Sequence, residues 1–164
     1  MTDATGSERA VPRIVVGVDG SPPSMRALAW AAAEAQLRGV ALEIVHAGFA
    51  REVAMEALAP DMLPYERSVL DQAVAQARAL VPGLLVTGRT CDPPAGAALI
   101  AASEGADMLV VGSRGLSGLK DITLGSVSTE CAHHALCPVV IIRPDEAPGD
   151  DPVGASYART ADDA

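Results

Sequence analysis

The run Ile14-Val15-Val16-Gly17-Val18 narrows the fold more than any other segment of the chain: its residues are apolar almost without a break and mostly β-branched. A strand with one wet face alternates polar and apolar positions. A near-continuous apolar run instead marks a strand buried on both faces, as in the middle of a parallel sheet. The run leads into Asp19-Gly20-Ser21-Pro22, where Ser21 can cap a helix and Pro22 suits its first position. That helix is expected to run through Met25, Leu28, Trp30 and Leu37 and to stop at Gly39.

The same alternation repeats along the chain. Strands are expected at Leu42 to Ala47, Leu84 to Arg89, Asp107 to Val111 and Val139 to Arg143. Between them, helical spacing of Leu63, Val69, Leu70, Ala73, Val74, Ala77 and Leu80 predicts a helix from Asp61 to Leu80, ended by Pro82-Gly83. Asp92-Pro93 repeats the cap-then-proline signal and is expected to open a helix through Leu99 and Ile100 that closes near Gly105. A last helix is expected from about Leu124 to Leu136. Strand and helix alternation with long connections implies an α/β fold: one doubly wound domain with a five-stranded parallel sheet, order 3-2-1-4-5, and helices on both faces. Residues 11–144 are read as that domain, 1–10 as a flexible N-terminus and 145–164 as a disordered acidic tail.

Charge and composition remove several function classes. The net charge is −9, and the segment after Arg143 carries Asp145, Glu146, Asp150, Asp151, Asp162 and Asp163 against Arg159 alone. No basic footprint for nucleic acid is visible. The N-terminus is polar, and no apolar run approaches the roughly 18 residues needed to cross a bilayer, so a cytoplasmic protein is expected. Cys91, Cys131 and Cys137 lack metal-like spacing and are read as reduced thiols.

The segment Gly112 to Ser128 carries the chemistry. Gly112, Gly115 and Gly118 are expected to turn the backbone tightly with positive φ and to let it approach a ligand. A helix starting around Gly125-Ser126 adds unpaired N–H groups and its positive dipole end, Ser126 and Ser128 add hydroxyls, and Arg114 adds charge. Together these suit a phosphate. The loop is no Walker motif, because no lysine precedes the hydroxyl residue of Gly125-Ser126. It is no dinucleotide fingerprint either, since it follows the fourth strand rather than the first. A doubly wound sheet binds ligands at the carboxyl ends of its strands where the winding reverses, which brings Asp19, Ala47 and Gly112 to one edge.

The spacing Gly112-x2-Gly115-x9-Gly125-Ser126 resembles that of the ATP-binding universal stress proteins. Ile14 to Ser21, Ile44-Val45-His46-Ala47 and Cys137-Pro138-Val139-Val140-Ile141-Ile142-Arg143 resemble the family's first strand, second-strand end and closing strand, so the likeness covers about residues 11–144. It implies an ATP pocket in which Gly17, Val18 and Asp19 lie against the nucleoside, with Asp19 near the ribose or a bound Mg2+. It implies that Ala47 meets adenine through its backbone and that Val111, Gly112, Ser113, Arg114 and Gly115 wrap the ribose and α-phosphate. Gly125, Ser126, Val127 and Ser128 would take the outer phosphates. A homodimer through the last strand, Val139 to Arg143, is implied as well. Lys120-Asp121 departs from the apolar or small residues frequent there.

Single residues sharpen this reading. His46 is read as a hydrogen-bonded core or dimer histidine, Asp92 as a helix cap, and Trp30 as packing rather than a stacking platform. Arg89 could face the pocket edge or solvent. His133-His134 suit the negative end of the last helix, without partners for a metal. No catalytic residue is assigned: Asp19 is the one carboxylate expected near the loop, so the expected function is an ATP-dependent stress or regulatory module with slow or no hydrolysis. The competing readings are a small adenylate-forming enzyme and a nucleotide-free dimeric scaffold.

Overall fold

The computed structural model describes residues 11–47, 62–115 and 124–143. In chain order the elements are β1 (Arg13–Val18), α1 (Pro22–Arg38), β2 (Ala41–Ala47), α2 (Met62–Leu80), β3 (Val86–Cys91), α3 (Ala95–Ser103), β4 (Met108–Gly112), α4 (Ser126–His134) and β5 (Val139–Ile142). The five strands form one parallel sheet in the order β3-β2-β1-β4-β5, as the strand pattern implies. None of the helices among the described residues is long and apolar enough to cross a membrane.

Two apolar layers sandwich the sheet. Ile14, Val16, Leu42, Ile44 and Val110 point into one layer, beneath α1 and α2. Val15, Val45, Leu109 and Val111 point into the other, with Leu99 of α3 and Cys131 of α4. Neighbours in sequence thus bury on opposite faces, which is why β1 and β4 read as unbroken apolar runs.

The first helix obeys its signals. Ser21 is the N-cap and its Oγ accepts from the Ser24 N–H, Pro22 is the first helical residue, and Gly39 closes the helix with φ 67°. Its buried stripe is made of Ala27, Leu28, Ala31, Ala32 and Ala35, small residues that bring the helix close to the sheet. Leu37 is 81% exposed and Trp30 37% exposed, so both lie outside that stripe.

Elsewhere the boundaries shift for local reasons. β3 starts at Val86, two residues later than expected: Leu84 closes the turn after α2 through its N–H to the Val81 carbonyl, and Leu85 is exposed. The strand runs on to Cys91 through Thr87, Arg89 and Thr90, polar because β3 is an edge. Asp92 is therefore not the cap of α3. The N-cap is Pro94, in extended conformation and without a side-chain hydrogen bond, because each of two successive prolines biases the residue before it away from helix. α4 begins at Ser126 and ends at His134, with Leu136 beyond it exposed, and β5 ends at Ile142 rather than Arg143. Asp61, Gly118, Lys120, Asp121, the first ten residues and the acidic tail lie outside the described residues.

One ionic group spans three strands. Glu43 accepts from Arg13 Nε at 2.7 Å and from Arg89 Nε at 2.5 Å, and Arg13 also donates to the carbonyls of Ala102 and Glu104 at the end of α3. Arg89 is thus spent on Glu43, with a second contact to Cys91 Sγ at 2.9 Å. Burial by itself pushes the Glu43 carboxyl up, but the hydrogen bonds and charges of Arg89 and Arg13 outweigh it and hold it below the ordinary glutamate range. A value lowered by folding gives stability that is present above the unfolded value and is lost as pH falls through the folded one. Glu43→Gln should therefore cost about 1–2 kcal/mol near neutral pH, between the exposed and buried regimes. Urea unfolding at a series of pH values should show the gap to the parent protein closing below the ordinary glutamate range. A gap that stays constant into acid would mean that the carboxylate charge is not what holds the three strands.

Candidate functional site

The sheet opens where its winding reverses. β1 and β2 stay paired to Val18↔His46, and β4 and β5 to Gly112↔Ile142. β1 and β4, however, pair only from Ile14↔Met108 to Val16↔Val110. Past that point Gly17-Val18-Asp19 and Val111-Gly112 separate. Between them lies a crevice of ≈ 330 Å³ at the carboxyl ends of the strands. That is where an open α/β sheet takes its ligand, and the size is at the low end for a ligand pocket.

Twelve residues singled out from the sequence line this crevice: Gly17, Val18 and Asp19 from the end of β1, Ala47 from β2, Val111, Gly112, Arg114 and Gly115 after β4, and Gly125, Ser126, Val127 and Ser128 at the start of α4. Ser113 does not line it. Its N–H donates to the Ile142 carbonyl at 2.8 Å, its carbonyl accepts from the Gly125 N–H at 2.7 Å, and its side chain is buried. Ser113 belongs to the wall behind the crevice and ties β5, the loop and α4 together. Ser128 takes part in the same tie: its hydroxyl is 3.1 Å from the Ser113 carbonyl and 3.0 Å from that of Gly125. The one proton of that hydroxyl is committed there, which leaves Ser126 as the hydroxyl donor at the mouth.

Sequence reasoning missed four lining residues, Ser24, Val45, Ala95 and Leu99. Strand period would have found Val45, two before Ala47 on the same face. Ala95 and Leu99 are four apart on one face of α3, but they are apolar residues in an apolar helix, so nothing local marks them as a pocket wall.

The glycines act by approach rather than by handedness. Positive φ among the described glycines occurs at Gly20, Gly39, Gly83 and Gly105, not at Gly112, Gly115 or Gly125, which corrects the expectation at Gly112 and Gly115. At Gly115 a Cβ would stand 2.6 Å from Asp19 Oδ2, so the bare backbone lets the loop close over the end of β1. Asp19 Oδ1 meanwhile accepts from the Ser21 N–H at 2.9 Å. Among the described lining residues Asp19 is the one carboxylate and Arg114 the one cation.

The neighbouring residues divide into positioning and packing. His46 is buried, and its Nδ1 lies 2.8 Å from the Val18 carbonyl. A carbonyl only accepts, so Nδ1 carries the proton and the ring braces the end of β1. Trp30 and Arg89 are not among the lining residues. His133 and His134 stand at the end of α4 with ring centroids 6.1 Å apart. Burial, with the charge of Glu130 second, pushes the Cys131 thiol up to about 11, and burial likewise raises Cys137. Neither is an activated thiolate.

The whole described body, from residue 11 to residue 143, matches the family model described as the universal stress protein family. The chain belongs to the universal stress protein family. A universal stress protein of Mycolicibacterium smegmatis is 34% identical over 152 residues, covering 84% of this chain and 50% of its own length. The chain thus spans about half the length of the mycobacterial relatives it matches. Among solved structures, a universal stress protein in complex with cAMP is 30% identical with a TM-score of 0.64, covering 82% of this chain and 98% of that one. The universal stress protein of Archaeoglobus fulgidus in complex with dAMP is 26% identical with a TM-score of 0.62, over 82% and 98% of the two chains.

In this member of the family, α3 and α4 meet at Gly96 and Glu130. The Glu130 carboxylate lies against the bare Gly96 backbone in the first turn of α3, where unpaired N–H groups and the helix dipole favour an anion. Both helices line the crevice, so this contact sets the distance between two of its walls. Gly96→Ala puts a methyl where the Glu130 carboxylate lies. The far end of a flexible side chain can swing aside, so losing its contact with the helix end, about 0.3–1 kcal/mol, is offset by the preference of a helix for alanine over glycine. Thermal or urea unfolding of the variant should stay within about 1 kcal/mol of the parent protein, and a larger loss would show that the carboxylate cannot move.

Proposed function

We propose that the chain binds an adenine nucleotide in the crevice between β1 and β4, with ATP as its ligand. The observation that carries this reading is the division of the crevice. One end is built from the Gly112–Gly115 turn, Arg114, Ser126 and the N-terminus of α4, a set of donors suited to phosphate. The other end is apolar, with Val45, Ala47, Ala95 and Leu99, and suits a flat aromatic base. The cAMP and dAMP complexes of similar proteins support an adenine nucleotide as the ligand class.

In this reading the α4 N–H groups and Arg114 neutralise the phosphates, and Ser126 donates its hydroxyl. Ala47 presents backbone groups to the base edge. Asp19, fixed through Oδ1 by the Ser21 N–H, offers one carboxylate to a Mg2+ that travels with the nucleotide, the share a protein commonly supplies to that ion. When bound, Mg2+ would offset the phosphate charge. With Asp19 assigned to the metal, no described carboxylate of the crevice is left to deprotonate a water. The proposed role is therefore a nucleotide-dependent stress-response or regulatory module of the cytoplasm, with slow or no hydrolysis. Residues 11–144 form its nucleotide-binding domain. A homodimer through the outer edge of β5 (Val139–Ile142), whose four residues are all half-buried, completes the proposal.

Protein purified without added nucleotide and then denatured should release ATP or its hydrolysis product, identified by mass spectrometry, or should bind Mg-ATP in calorimetry. Gly125→Ala makes the sharper comparison, because a Cβ there meets Arg114 Cα and the Ser113 carbonyl only at 3.5 Å, ordinary contact. The fold should stand while the methyl blocks the approach of phosphate, weakening ATP about tenfold or more. Unchanged affinity would move the phosphates to another loop, and an empty protein that ignores Mg-ATP would end the proposal.

A further inference from the structure

Leu99 is one of four residues, with Val45, Ala47 and Ala95, that make the apolar end of the crevice. Leu99, in the middle of α3, is 4% exposed and lines the crevice. Below, it packs into the layer formed by Val15, Val45 and Leu109, all essentially without solvent contact. Sideways, it lies directly on the backbone of β1: a Cβ at Gly17 would stand 2.8 Å from Leu99 Cδ1 and 3.1 Å from Cδ2. Leu99 can neither sink, because the layer beneath is filled, nor shift toward β1, because only the hydrogen of Gly17 leaves it room. The depth of the apolar end is therefore fixed by the Gly17–Leu99 pair.

We infer that Leu99, seated on Gly17, is the specificity-determining residue of the base-binding end, and that it limits this end to adenine without a bulky added substituent. This rests on the nucleotide reading given above. A base resting on Leu99 gains the contact of its methyl groups. A ring bearing a bulky substituent on that side has nowhere to put it, since close-packed interiors do not yield by the width of a methyl group without cost. Gly17 serves here through its lack of a side chain, which lets Leu99 lie low enough to leave the slot open.

The test compares ATP with three analogues, carrying a benzyl group on N6 or a bulky substituent at C2 or C8. The parent protein should bind ATP and reject the analogue whose substituent meets Leu99. Leu99→Ala should bind ATP more weakly and gain about tenfold or more for that analogue, the discrimination expected when a few methyl groups bound a pocket. Gly17→Ala should weaken ATP by lifting Leu99 into the slot, and Gly17→Ala with Leu99→Ala should recover part of that loss. Affinities for all four nucleotides that move in parallel, or no recovery in the double variant, would overturn the inference while leaving nucleotide binding intact. A parent protein that binds none of the four would overturn the nucleotide reading itself. Should Leu99→Ala unfold below the assay temperature, Leu99→Val carries the same comparison with a smaller opening.

Discussion

The early parting of β1 and β4 is the constraint from which the site follows. A parallel sheet ordinarily keeps its ladder to the ends of its strands, yet here the central pair lets go after Val16↔Val110 while the flanking pairs continue. The chain winds outward from β1 to β2 and β3 on one side, and through β4 and β5 on the other. The strand ends released there line the crevice among the described residues. Each outer ladder then braces one lip. On the β1 side, the pairing to β2 and the His46 contact with the Val18 carbonyl hold the strand end straight. On the β4 side, the Ser113 N–H to Ile142 extends the β5 ladder one residue beyond the strand.

That bracing reaches the foot of α4 through Ser113. The Ser113 carbonyl receives both the Gly125 N–H and the Ser128 hydroxyl, so the two ends of the 113–125 excursion are fastened together at the foot of α4. Closing a loop costs entropy that grows only slowly with its length, and two hydrogen bonds at its base offset much of it in advance. The consequence is functional: the N-terminus of α4 is aimed into the crevice before any ligand arrives. Binding then has less ordering to supply.

Much of this architecture was legible in the sequence because the strands are buried on both faces. Burial on two sides leaves no polar position, so β1 and β4 announced themselves by unbroken apolar runs. Ser21-Pro22 and Gly39 bounded α1 because caps act through local hydrogen bonds that a sequence carries in full. The misreadings fall where tertiary context decides. Asp92 looks like a cap only if β3 ends early, and β3 does not end early because pairing with β2 holds it to Cys91. Gly112 and Gly115 look like turn glycines, but their reason is the nearness of Pro23 and Asp19, which no local pattern encodes. In the crevice, the loop residues were visible through their glycine spacing. The α3 side was not, because Ala95 and Leu99 are apolar residues in an apolar helix, and only position distinguishes a pocket wall from a core.

Position also decides what charge can do in the crevice. Among the described lining residues, the Asp19 carboxylate and the Arg114 guanidinium arrive from opposite lips, one at the end of β1 and the other just past β4. An anionic ligand placed against α4 would meet the cation and the helix dipole on one side, and a carboxylate on the other. A carboxylate and a guanidinium on opposite lips give the crevice a charge asymmetry, with the helix dipole on the cationic side. Asp19 is also the group that Gly115 approaches and that accepts from the Ser21 N–H, so the acidic lip is held by the backbone that ends β1. The parting of β1 from β4 brings both charged residues and the α4 N-terminus to one opening.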